Sequence, residues 1–157
     1  MKKETVIIFT KYMLDFMYFV GIAETVSLPW SVRWLMAALK HWHFQDIEGI
    51  DAHYTEVVVI YFILGILAIM ILGELRKIFR TVLADDCFVR ENVVSLQRMG
   101  TYSFVIAVIC FLRTVLYLTI AMLVLVLVFV IAGLFSKVLA FVFDKAVDYK
   151  LENDLTI

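Results

Sequence analysis

Lys11 and Asp15 lie four residues apart inside an otherwise apolar segment, a spacing that puts them on one helix face, where they can pair. A charge inside a bilayer costs about 2.5–3.5 kcal/mol on insertion scales, so such groups mark a ligand or proton relay, or a neutralised pair that fixes helix register. Tyr18 and Thr25 extend the same stripe, which marks it as the bundle-facing side. Arg113, between two long apolar runs, is a second candidate partner for Asp15. A different constellation is His41-Trp42-His43 with Asp46, Glu48, Asp51 and His53. Imidazole with carboxylate suits zinc. The spacing matches no metalloenzyme pattern, however, and on a helix His41 and His43 would point apart. They are weak metal candidates, and no cofactor is assigned.

Catalytic signatures are missing. The chain has no nucleophile elbow, P-loop or H-E-x-x-H motif. Ser27, Ser31, Ser95, Ser103 and Ser136 have no neighbouring base in the sequence. Cys87 and Cys110 form neither a disulfide framework nor a zinc spacing. The expectation is a protein that is not an enzyme.

The elements that must position these groups follow from composition. Of 157 residues, 64% are hydrophobic and 18% charged, with a mean hydropathy of +0.96. A soluble domain is about half apolar and a quarter charged, so this excess belongs in lipid. The net charge of −1 gives no sign of a nucleic-acid surface, and no direct nucleic-acid partner is expected. Met1-Lys2-Lys3 resembles the start of a signal peptide, but Lys11 and Asp15 interrupt the apolar run and no cleavage site follows, so the segment is read as retained.

A membrane helix needs about 20 residues to cross a core of roughly 30 Å. Val57–Gly73 is uncharged, as is Thr114–Ser136, with Thr101–Leu112 just before it. As one helix, 101–143 would run about 65 Å, twice the membrane core, so it must fold into a hairpin, whose turn is placed near Tyr117–Ala121. The expected fold is therefore all-α: a single membrane domain of four transmembrane helices, at about 5–27, 56–75, 100–118 and 121–143. Lys2, Lys3, Arg76, Lys77, Arg80, Arg90, Arg98, Lys145 and Lys150 fall on one side of this layout, against Arg33 and Lys40 on the other. The positive-inside rule then puts both termini on the cytoplasmic side of the cell inner membrane.

Two connections look helical too. In the outer loop, 28–55, Trp30, Trp34, Leu35, Ala38, Leu39 and Trp42 recur at helical spacing. They predict a separate interfacial helix with Pro29 in its first turn. In the inner loop, 76–99, an amphipathic stretch continues the second span to Leu83, and Asp85-Asp86 can end it and cap the next helix. The tail, 144–157, is polar and mixed in charge, with its start docked at the membrane by Phe141 and Phe143.

Two stretches carry a resemblance: Asp86-Cys87-Phe88-Val89-Arg90-Glu91-Asn92 through Leu96 and Met99-Gly100, and the ending Lys150-Leu151-Glu152-Asn153-Asp154-Leu155-Thr156-Ile157. They are similar to the YoaS-like family of small bacterial membrane proteins of unknown function, the DUF2975 type. Where family members often carry glycine and proline before the phenylalanine, this chain has Asp86 and Cys87. The resemblance implies about four membrane helices and no established activity. It also implies a gene beside that of a small helix-turn-helix regulator, hence a membrane partner for a cytoplasmic DNA-binding protein. The partner surface expected from the sequence is Arg76, Lys77 and Arg80, with Arg90, Glu152 and Asp154. The alternative is a small transporter or channel component using Lys11, Asp15 and Arg113. Self-association into a homo-oligomer is left open.

Overall fold

The computed structural model describes residues 3–41, 53–84, 86–116 and 120–154. Among them the chain is all-α, with four helices: α1 (Lys3–His41), α2 (Tyr54–Leu83), α3 (Arg90–Leu116) and α4 (Ile120–Asp154). Each packs antiparallel on its neighbour in the chain, so that α2 lies between α1 and α3, and α3 between α2 and α4.

α2, α3 and α4 are each long and apolar enough to cross a membrane. A third of the α3 span is buried, against 6% in α2 and in α4. α3 can therefore carry polar side chains inside the bundle, while α2 and α4 expose Leu, Val, Ile and Phe, as helices facing lipid do. Two apolar clusters join these three helices. Ile78, Val93, Leu96, Ala140 and Val147 fill one end, and Ile106, Cys110 and Met122 the other, with Leu64, Leu67 and Ile71 against them. α3 and α4 cross closely at Gly100 and Gly133: a Cβ on Gly100 would lie 3.1 Å from the Gly133 carbonyl oxygen.

Two expectations are corrected. The separate interfacial helix does not exist as a distinct element, because α1 runs unbroken through Pro29. Proline removes one amide donor and crowds the carbonyl four residues back. Nearby, Ser27 Oγ donates to the Glu24 carbonyl at 3.1 Å and Thr25 Oγ1 to that of Gly21 at 2.8 Å, bonds that hold the preceding turns but do not reach the Thr25 carbonyl. The Tyr54 hydroxyl donates to the Pro29 carbonyl at 2.7 Å, tying α1 to the start of α2. Neighbouring helices and Ser/Thr groups are what make proline tolerable in apolar helices. The expected polar tail is helical as far as it is described, α4 continuing as one helix to Asp154. The second correction concerns Asp86, which does not cap the next helix. Its backbone N–H bonds the Thr81 carbonyl, its carboxylate takes Lys150, and α3 starts only at Arg90. Asp85, residues 42–52 and residues 117–119, with most of the expected hairpin turn, lie outside the described residues; Ile120 and Ala121 belong to α4.

Candidate functional site

Charge collects at one end of the bundle, where α2 ends, α3 begins and α4 runs out past them. α1 brings Asp15 to this end because it runs antiparallel to α2. There the Asp15 Oδ1 accepts from Arg76 Nε at 2.6 Å, with both side chains about 30% exposed. The guanidinium also lies 4.4 Å from the Tyr18 ring centroid and 5.6 Å from that of Phe19, an arrangement that stabilises a partly desolvated cation. Asp15 therefore pairs across helices, and neither Lys11 nor Arg113 holds it. Lys11 is exposed and lines a hollow of about 310 Å³ with Asp15, Arg76 and Arg80. Arg113 stands in the last turn of α3, at the opposite end, and α1 makes no contact with α3.

Among the described residues the most buried acid is Glu74, only 6% exposed. It ends the long uncharged run of α2, one turn before Lys77. Lys77 Nζ donates to Oε1 at 2.8 Å, and Ser95 Oγ of α3 donates to Oε2 at 2.7 Å. Arg98 adds a guanidinium 3.5 Å from Oε1. Burying an ionised carboxylate costs several kcal/mol unless such partners surround it. Ser95 thus has a carboxylate neighbour that the sequence order concealed. A carboxylate held by two cations is a poor base, so the contact ties α2 to α3 and activates no nucleophile.

Asn92, 1% exposed, does the same job one turn earlier. Its Nδ2 donates to Thr81 Oγ1 and to the Cys87 carbonyl, both at 2.7 Å. That asparagine belongs to the Asp86–Gly100 stretch that carries the family resemblance, and its role is to close the α2–α3 turn. On the other flank, Arg90 bonds Asp144, and also Asp148 at 2.9 Å, while Lys150 Nζ reaches Asp86 at 2.7 Å. Lys137 of α4 donates to the Gln97 carbonyl and to Thr101 Oγ1, each at 2.9 Å. Among the described residues, no buried side-chain nitrogen or oxygen lacks a partner.

Of the surface expected to meet a partner, Arg76 is turned to Asp15 and Arg90 to α4. Lys77, Arg80 and Glu152 are exposed, and the Asp154 side chain lies outside the described residues. Of the metal candidates, His43 and the side chain of His41 also lie outside them. His53 Nδ1 is 3.3 Å from Glu56. Among the described residues no three His, Cys, Asp or Glu side chains gather as a metal site would need. Sequence reasoning missed Glu74, Asn92, Ser95 and Lys137. The available signals were an acid placed directly after an uncharged run and, for Asn92, the family pattern itself.

No curated protein and no solved structure is detectably similar to the chain. Residues 22–157 match the family described as "Protein of unknown function (DUF2975)", and the chain belongs to that family.

Proposed function

We propose that the chain is a non-enzymatic, four-span protein of the bacterial inner membrane that presents its cytoplasmic end to a DNA-binding regulator of the helix-turn-helix type. In this reading α1 is the fourth span. Its charges are accommodated because Asp15 is neutralised by Arg76, and Trp30 and Trp34, each 74% exposed, stand at the outer boundary where tryptophan is favoured. The basic residues at the charged end then face the cytoplasm.

One observation carries the reading. α4 extends 11 residues beyond Phe143 to Asp154, about 16 Å of helix, and is clamped to the α2–α3 turn by Arg90 and Lys150. The cytoplasmic ends of three helices therefore move as one body, and it carries exposed Tyr149 and Leu151 beside Glu152. α2 passes without a break from Tyr54 to this body, so displacement outside reaches the docking face as a rigid-body shift. The partner class comes from the resemblance to YoaS-like proteins. Transport through the bundle would draw on Lys11, Asp15 and Arg113. Asp15 closed on Arg76, with Arg113 at the far end of α3, supports it less well.

The test is recovery of partners by the tagged full chain from its own cells. A helix-turn-helix protein should be retained by the native chain and lost on deleting Leu151–Ile157 or on changing Tyr149→Ala with Leu151→Ala. Undiminished recovery by both variants, or recovery of no DNA-binding protein, rejects the reading.

A further inference from the structure

Two adjoining hollows, of about 360 and 230 Å³, lie between the end of α2 and the first turns of α3, and share Lys77, Glu91 and Ser95 as walls. We propose that together they bind the phosphodiester headgroup of an anionic phospholipid. The proposal rests on the membrane placement above and not on the protein partner.

Four cations, Lys77, Arg80, Arg90 and Arg98, line the pair of hollows, against two carboxylates, Glu74 and Glu91. Their commitments differ. Glu74 is buried, with Oε1 taken by Lys77 and Oε2 by Ser95. Arg90 is spent on Asp144 and Asp148 of α4. Arg98 approaches Glu74 no closer than 3.5 Å and is 55% exposed, which leaves donors of its fork for another acceptor. Lys77 gives one of its three protons to Glu74 and is 53% exposed. Arg80 is exposed and meets no carboxylate among the described residues. Glu91, exposed on the first turn of α3, is the one opposing charge that the bundle does not bury. The site thus offers two guanidinium forks and an ammonium, the donor set suited to a phosphate.

Level decides the source of the anion. The uncharged run of α2 stops at Gly73, and that of α3 begins at Thr101. By helical rise Lys77, Arg80 and Arg98 stand within about 10 Å of those limits, in the layer that lipid phosphates occupy. Val94, 39% exposed, adds an apolar wall beside the cations, as a headgroup joined to acyl chains requires. Basic pockets between helices at the cytoplasmic face suit anionic headgroups. A membrane holds lipid phosphate at high local concentration there, whereas a soluble phosphate must compete from dilute solution.

The full chain in dodecyl maltoside provides the test, with thermal unfolding followed by circular dichroism. Added phosphatidylglycerol should raise the Tm of the native chain, while phosphatidylcholine and inorganic phosphate at equal concentration should not. Arg80→Gln with Arg98→Gln should need roughly ten to thirty times more phosphatidylglycerol for the same shift, at about 1 kcal/mol per cation. Lys145→Gln, a cation removed from neither hollow, should respond like the native chain. Native mass spectrometry of the unaltered chain, exposed to both lipids, should show phosphatidylglycerol retained in preference, a readout that does not depend on the variants folding. An equal Tm shift with phosphatidylcholine, or an unchanged response in the double variant, overturns the site. An equal shift with inorganic phosphate overturns the lipid source. No partner protein is present in either assay, so failure here leaves the docking reading where it stands.

Discussion

The Ser95 hydroxyl of α3 donates to the Glu74 carboxylate of α2 at 2.7 Å, with both residues largely buried. The acid that closes the first long apolar run is thereby held by the next helix instead of by solvent. Glu74→Ala should lower unfolding free energy by about 2–3 kcal/mol, since Ser95 loses its acceptor and Lys77 its counter-charge. Ser95→Ala, which leaves Lys77 in place, should cost only about 1 kcal/mol. Denaturant unfolding in detergent micelles measures both, and equal costs would show that the two groups do not act as described.

Asn92 is expected to be sensitive to chemistry more than to size. Asn92→Asp keeps the shape but removes both donors facing Thr81 and the Cys87 carbonyl, and adds a charge beside acceptor oxygens. It should destabilise by about 2–4 kcal/mol, more than Asn92→Ser, which retains one donor. Melting curves of the two variants should fall in that order.

A Cβ at Gly65 would come within 2.6 Å of Thr25 Oγ1, and the threonine is held by its own bond to the Gly21 carbonyl. Small residues at such crossings let helix backbones approach. Gly65→Ala should therefore loosen α1 from α2 by about 1–3 kcal/mol, as overpacking does. Adding Thr25→Ala should restore much of the loss. A double variant no better than Gly65→Ala alone would place the strain elsewhere.

Topology is open to labelling in intact cells after Cys87 and Cys110 are replaced by serine. Cysteine at Asp51 should react from outside, and cysteines at Lys3, Arg90 and Asp154 only after permeabilisation. If Lys3→Cys reacts from outside while Asp154→Cys does not, α1 does not cross and the protein has three spans.

The apolar helices were legible because uncharged runs such as Val57–Gly73 have one use in a chain this hydrophobic. The partner of Asp15 was not. Spacing within a helix offers Lys11, whereas Arg76 is 61 residues away and becomes a neighbour only when α1 lies antiparallel on α2. The continuation of α4 was hidden for the same reason. Asp144, Asp148 and Lys150 read as a mixed polar tail until Arg90 and Asp86, 54 to 64 residues earlier, are set against them. Pro29 misled because its usual place is a helix start, and nothing local announces the tyrosine hydroxyl that meets its carbonyl. Glu74 lay in plain view, but a charge after an apolar run marks a membrane boundary far more often than a buried node.

α1 touches α2 and nothing else among the described helices, which bears on how the protein enters its membrane. During synthesis Asp15 is made long before Arg76, 61 residues downstream. In the proposed four-span reading, α1 lacks the Arg76 partner of Asp15 until α2 arrives, and lipid rejects a carboxylate without it. Its entry is therefore completed jointly with α2, as a pair, while α3 and α4 assemble on α2's other face by contacts that make no use of α1. In that reading, the place of α1 in the bilayer is settled by a helix made after it.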